Sequence, residues 1–176
     1  MRQHTVMRRH TVIRRHTVRL RARAMSRRAQ ASGAASALRR ARVARLATVD
    51  AAGQPHVIPV CFVYDGHTIS IAIDEKPKRV PPERLRRIRN IRANPRVALV
   101  VDEYREDWRR LWYVLVLGRA SILGPEAADH AAVIARLRRK FPQYRTMRLE
   151  DRPILRIRPR RLIRWAARVR PRGPRR

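Results

Sequence analysis

Two apolar periods alternate along this chain and mark its elements. From Val43 to Val49 the run Val-Ala-Arg-Leu-Ala-Thr-Val predicts a strand that stops at the turn Asp50-Ala51-Ala52-Gly53. His56 to Tyr64 predicts a second, more strongly apolar strand. Tyr64-Asp65-Gly66-His67 supplies an Asp-Gly hairpin turn, and Thr68 to Ile73 predicts the strand that pairs back, completing a meander. The period then switches to three. Pro81-Pro82-Glu83 places prolines and an acid where a helix starts, Leu85, Ile88 and Ile91 form its buried stripe, and Asn94-Pro95 stops it.

Val97 to Val101 predicts a strand buried on both faces, and Leu111 to Leu123 a long strand with Gly118 inside it, a glycine that suits a bulge or a close backbone approach. Glu126 to Lys140 predicts a second amphipathic helix with Val133, Ile134 and Leu137 on one side. Ile154 to Pro159 and Leu162 to Trp165 predict one closing strand, or two with a bulge at the proline. A short Ala/Leu/Arg helix from Ala34 to Arg42 precedes the whole series. Hairpins dominate and no strand-helix-strand rhythm is present. The expected fold is α+β, mainly β: a closed or split antiparallel β-barrel with peripheral helices. No Gly-x-Gly-x-x-Gly and no P-loop occurs, which disfavours a dinucleotide site of the usual kind.

Composition refines this picture. A length of 176 residues predicts one domain, expected at 34–168 between a basic extension at 1–33 and a basic tail at 169–176, both disordered. Three copies of a His-Thr-Val unit, preceded by Gln3, Arg9 and Arg15, fill the first 18 residues, too short and too polar to offset chain entropy. Their histidines, His4, His10 and His16, lack acidic or cysteine partners, so no metal site is assigned. Cys61 is the single cysteine, which excludes an internal disulfide. It is expected to pack in the core, because His56 lies an odd five positions away and faces the other side of an extended strand. No apolar run approaches the roughly 20 residues of a membrane span, and no apolar stretch follows the basic N-terminus as in a secretory signal, so a cytoplasmic location is expected.

The net charge of +31 points first to nucleic acid, but its distribution weakens that reading. Residues 1–45 carry 14 arginines and no acid, residues 156–176 carry 10 and no acid, and the stretch between is only +7. Arginine outnumbers lysine 41 to 3, as codon usage in a GC-rich genome would produce without a selected ligand. Nucleic-acid binding is therefore expected only nonspecifically, through the tails.

Three features carry candidate chemistry. Pro59 interrupts the apolar strand Pro55-His56-Val57-Ile58-Pro59-Val60-Cys61-Phe62, which frees backbone groups around Pro59 and Val60 to face a flat tricyclic ring; an ordinary edge-strand proline is the alternative. Lys76-Pro77-Lys78-Arg79 puts three cations on a stiff loop just before a helix, a site for a phosphate ester or else a solvated basic loop. Two of the three lysines in the chain lie there, which favours the first. Asp102 to Tyr113 mixes both charge signs with Tyr104, Trp108, Trp112 and Tyr113, a composition for a pocket rim or subunit interface rather than a core.

From about Arg42 to Ala167 the chain resembles the pyridoxamine-5′-phosphate-oxidase-like superfamily of FMN-binding split barrels, and within it the class of F420-dependent enzymes of actinobacteria. The resemblance rests on an ordered set: Leu46-Ala47-Thr48-Val49, Gly53-Gln54-Pro55-His56, Val60-Cys61-Phe62, Lys76-Pro77-Lys78-Arg79, Asn94-Pro95-Arg96-Val97 with Val101-Asp102, Glu106-Asp107-Trp108 with Leu111-Trp112, and Arg156-Ile157-Arg158-Pro159 with Trp165. It implies a homodimeric oxidoreductase with coenzyme F420, or alternatively FMN, lodged between protomers and a small organic molecule as substrate. By carry-over, Lys76, Lys78 and Arg79 hold the phosphate, the backbone at Ile58, Pro59 and Val60 lies along the ring, and Trp108 and Trp112 shape the substrate side. Catalysis then belongs to the cofactor, so no catalytic side chain is assigned. A non-catalytic cofactor carrier on the same barrel is the alternative. The His-Thr-Val repeats, the arginine-rich end and Val80-Pro81-Pro82 after the basic loop depart from the family pattern.

Overall fold

The computed structural model describes residues 30–74 and 81–167. The repeats, the basic loop with Lys76, Lys78 and Arg79, and the C-terminal tail lie outside the described residues.

A helix over 30–40 (α1) leads into strands β1 (Val43–Val49), β2 (Pro55–Cys61), β3 (Val63–Tyr64) and β4 (Ile69–Ala72). Helix α2 (Arg86–Ala93) precedes β5 (Arg96–Glu103) and β6 (Trp112–Leu123), and helix α3 (His130–Lys140) precedes β7 (Ile154–Ala166). The seven strands form one antiparallel sheet in the order β2-β1-β5-β6-β7-β4-β3.

The expected strand from His56 to Tyr64 is in fact two. Phe62, fully buried, separates β2 from β3, and these two are the opposite edges of the sheet. One residue thus carries the chain from one end of the ladder to the other, so the sheet curls into a split barrel whose seam lies at Phe62. A continuous strand would have kept both halves on one neighbour; burial of the Phe62 ring across the seam favours the corner.

Local chemistry explains the turns. Asp65 Oδ1 accepts hydrogen bonds from the backbone N–H of His67 at 2.8 Å and Thr68 at 2.7 Å, and Gly66 takes φ 110°, a conformation costly for residues with a Cβ. The third helix starts later than expected, at His130, because the residues from Pro125 to Asp129 are spent in turns. The two closing segments are a single 13-residue strand. Its register on β6 shifts between Leu117 opposite Arg161 and Gly118 opposite Pro159, leaving Arg160 as the extra residue of a bulge.

The inner face of the sheet buries Ala44, Leu46, Val60, Leu99, Val101, Val114 and Val116 in one cluster. Helix α1 contributes Ala37 and Leu38, and α2 contributes the Leu85, Ile88 and Ile91 stripe. A second cluster joins α3 to β3 and β4 through Val63, Ala72, Val133, Ile134 and Leu137. Strand β5 is not buried on both faces as expected: Val97, Leu99 and Val101 are buried, whereas Ala98 and Val100 on the outer face are half-buried. That outer face continues through Val57 on β2, Val43 on β1, Tyr113 and Leu117 on β6 and Trp165 on β7, all exposed. Tyr113 and Trp165 stack there with centroids 5.7 Å apart. No helix among the described residues is long and apolar enough to cross a membrane.

Candidate functional site

Strand β2 pairs with β1 on one side and with no strand on the other among the described residues. Pro59 sits in its middle, opposite Arg45, where a missing N–H is tolerated at the sheet edge. Ile58 is half-buried and Val60 buried on the inner side, while Pro59 is exposed and Cys61, opposite Val43, lies on the outer side. His56 pairs with buried Thr48 and so faces the inner side, away from Cys61. Cys61 is partly buried and packs against the second core cluster, in line with the expected core role, and it also forms part of a cavity wall.

That cavity, of about 340 Å³, is lined by Arg42, Val43, Cys61, Phe141, Gln143, Tyr144 and Met147. Its walls are largely apolar, its polar groups are a guanidinium and neutral side chains, and no carboxylate lines it. Arg42 lies over the Phe141 ring at 5.0 Å. Lys140 Nζ stands 5.6 Å from the same ring, lies 4.6 Å from the Phe62 centroid and donates to the Ala41 carbonyl at 2.6 Å. Burial first, and then the charge of Arg42, push the Lys140 ammonium down to about 8. Tyr144 is buried, and its phenol is held well above its usual range, first by burial and then by the negative fields of Cys61 and Asp74. It stays protonated across the physiological range.

Asp74 is the last described residue before the basic loop, and it too is buried. Its charge acts on Tyr144 and also on Arg87 of α2, whose pKa burial lowers and Asp74 raises. Cys61, at the end of β2, and Tyr144 therefore line one cavity, and the Asp74 charge acts on Tyr144 electrostatically. Lys76, Lys78 and Arg79 themselves lie outside the described residues.

Beyond Arg42 and Val43, which line both spaces, a second cleft of about 430 Å³ opens between α1 and the ends of β1, β5 and β6. Trp112 lines it, half-buried, and donates from Nε1 to Glu103 Oε2 at 2.9 Å. That bond, followed by the one from Arg105, holds the Glu103 carboxyl below its ordinary range. Arg45 pairs with Asp102 on the same wall. Trp108 is elsewhere: it begins a short 3-10 turn, Trp108–Arg110, is 68% exposed and lines neither space. Of the two tryptophans expected on one side of a pocket, Trp112 lines this cleft and Trp108 does not. Sequence reasoning missed Arg42, Tyr144 and Met147. They come from the end of α1 and the segment after α3, and no local pattern couples those to Cys61.

A curled antiparallel sheet, split at one corner and flanked by an apolar cavity beside a proline-bearing edge, defines the class of flavin-binding split barrels. The chain belongs to the pyridoxamine 5′-phosphate oxidase family, whose profile matches residues 33–166. A 5a,11a-dehydrotetracycline/5a,11a-dehydrooxytetracycline reductase from Streptomyces rimosus is 33% identical over 125 residues, 69% of this chain and 72% of that protein. Among solved structures, an F420 reductase superposes with a TM-score of 0.53 at 25% identity, covering 73% of this chain and 94% of the other. An FAD-binding protein from Mesorhizobium loti superposes with a TM-score of 0.56 at 26% identity, covering 75% and 91%.

Proposed function

We propose that the protein is an oxidoreductase that holds coenzyme F420 along the free edge of β2 and passes hydride between it and a small organic molecule. The observation that carries this reading is the proline-bearing edge strand β2, which has no strand partner on its outer side among the described residues and ends at Cys61 in the wall of an apolar cavity. The residues present fit such a group: an apolar wall for a flat ring, an edge strand through Ile58, Pro59 and Val60 with no strand on its other side among the described residues, and donors without a competing carboxylate. When bound, the tricyclic ring supplies the hydride chemistry. The chain's own residues do the rest. The β2 edge aligns the ring, Lys76, Lys78 and Arg79 neutralise the phosphate, Arg42 and the protonated Tyr144 donate toward the cavity, and Trp112 bounds the substrate side. The reductase activity of the Streptomyces relative and the F420 reductase among the structural neighbours support the assignment.

FMN is the second reading, favoured by the FAD-binding neighbour. The working unit is a cytoplasmic homodimer in which the end of the outer face that exposes Tyr113 and Trp165 is covered by a second copy. The cofactor-binding unit is the expected 34–168, with α1 extending it to residue 30. Titration of the full chain with F420 and with FMN, followed by cofactor fluorescence, tests the proposal. One of the two is expected to bind at micromolar affinity or better. Charge reversal at Lys76, Lys78 and Arg79 is expected to weaken that binding by more than tenfold; unchanged affinity for both coenzymes refutes it.

A further inference from the structure

Arg96, Arg119 and Arg158 stand directly opposite one another across β5, β6 and β7, on the outer face and exposed. At the bulge alongside, Arg160 and Arg161 add two more guanidiniums. With strands about 4.8 Å apart, the three aligned arginines span only about 10 Å. Like charges at directly opposed sheet positions repel and weaken the pairing. No carboxylate of the described residues lies at ion-pair distance from any of the five; the ion pairs of the described residues use other arginines, such as Arg45 with Asp102. Codon usage accounts for how many arginines the chain has. It does not account for three in register with no acid beside them.

A groove of about 510 Å³ lies at this place, lined by Arg96, Val97, Leu117, Gly118, Arg119 and Arg160. Leu117, 37% exposed, offers an apolar platform beside the cations. We propose that this arginine ladder binds a small molecule carrying two or three adjacent phosphates, of the nucleoside di- or triphosphate class, at a site separate from the cofactor groove. Guanidinium forks match phosphate oxygens two by two, and several neighbouring phosphates are needed to offset several neighbouring cations. The row is three strands wide, which suits a short polyphosphate better than the longer track of a nucleic-acid backbone. The apolar platform takes the organic part. This site does not depend on which flavin-type cofactor the protein holds.

Calorimetric titration of the full chain at physiological salt tests it, using inorganic tripolyphosphate, adenosine triphosphate and a short single-stranded oligonucleotide. Saturable binding of the first two, one per chain, is expected. Arg119→Gln and Arg160→Gln should each weaken it roughly tenfold, with the thermal midpoint unchanged or raised as repulsion is relieved. Arg89→Gln, an exposed position on α2, should leave it within about twofold. F420 and FMN affinities, measured on the same variants, should not move. Polyphosphate affinity unchanged by both ladder substitutions would assign the binding to the basic tails and overturn the proposal. So would an oligonucleotide preference with a steep salt slope, or a change of subunit mass in Arg119→Gln without loss of phosphate binding.

Discussion

Replacing Gly118 by alanine puts a methyl group where the structure has no room. An ideal Cβ at this position stands 2.7 Å from the Arg158 carbonyl oxygen and 3.0 Å from Ile157 Cγ2. The first contact is backbone, so no rotamer relieves it. To reach an ordinary separation, β6 and β7 must part by most of an ångström at the bulge, in the middle of the longest ladder of the sheet. Overpacking of this kind costs typically ~1–3 kcal/mol, and an immovable carbonyl places Gly118→Ala near the upper end. For a domain of this size each kcal/mol lowers the melting midpoint by roughly 3–5 °C, so a fall on the order of 10 °C is expected. The control is the same chemical change in α1. At Gly33 a new Cβ meets only the exposed side chain of Arg164, at 3.2 Å, which can swing aside. There the gain in helix propensity, about 0.5–1 kcal/mol, should prevail and stabilise the protein. Urea unfolding of the two variants reads both signs as midpoint changes at constant slope. A neutral Gly118→Ala would refute the bulge geometry.

The seam residue is equally exposed to test: Phe62→Ala empties a fully buried site and should cost about 3–5 kcal/mol in the same assay. Lys140 titrates near 8 in the folded chain against an ordinary value of 10.5, so between those values the unfolded chain holds more protons and stability rises with pH. Below about 8 that contribution is lost; Lys140→Met should flatten the stability–pH profile between pH about 8 and about 10.5, measured by urea melts. Trp112→Phe removes the Nε1 hydrogen bond, the largest cause of the lowered Glu103 pKa, and should move that carboxyl up toward its ordinary range in a side-chain NMR titration. The Glu150 carboxyl, held down to about 2 chiefly by Arg138, supports the fold above its unfolded value and loses that support as pH falls. Arg138→Gln should therefore make acid unfolding less dependent on pH between about 4.5 and about 2.

Several features of the sheet around the candidate site were legible in the sequence. Pro59 in an apolar strand announced a sheet edge, and β2 is an edge. Gly118 announced a bulge or a close approach, and both occur. The odd spacing of His56 and Cys61 announced opposite faces, as the register has it. The cavity itself was not legible: Arg42 and Tyr144 are about a hundred positions apart, and each is unremarked in its own segment.

What the chain order alone determined was whatever depends on neighbours within a few residues. Asp65 and Gly66 made a turn, Leu85, Ile88 and Ile91 one face of a helix, and alternating valines a strand with an inside and an outside. Those effects arise from backbone sterics and side-chain period, which any short segment carries with it. Only the tertiary structure decided that the ladder ends at Phe62 and resumes on the far edge, that Cys61 meets Tyr144, and that Arg96, Arg119 and Arg158 stand in one row. Such juxtapositions follow from closing a sheet around a shared core. The free energy for closure lies in contacts between residues distant along the chain, so no short stretch of sequence encodes it.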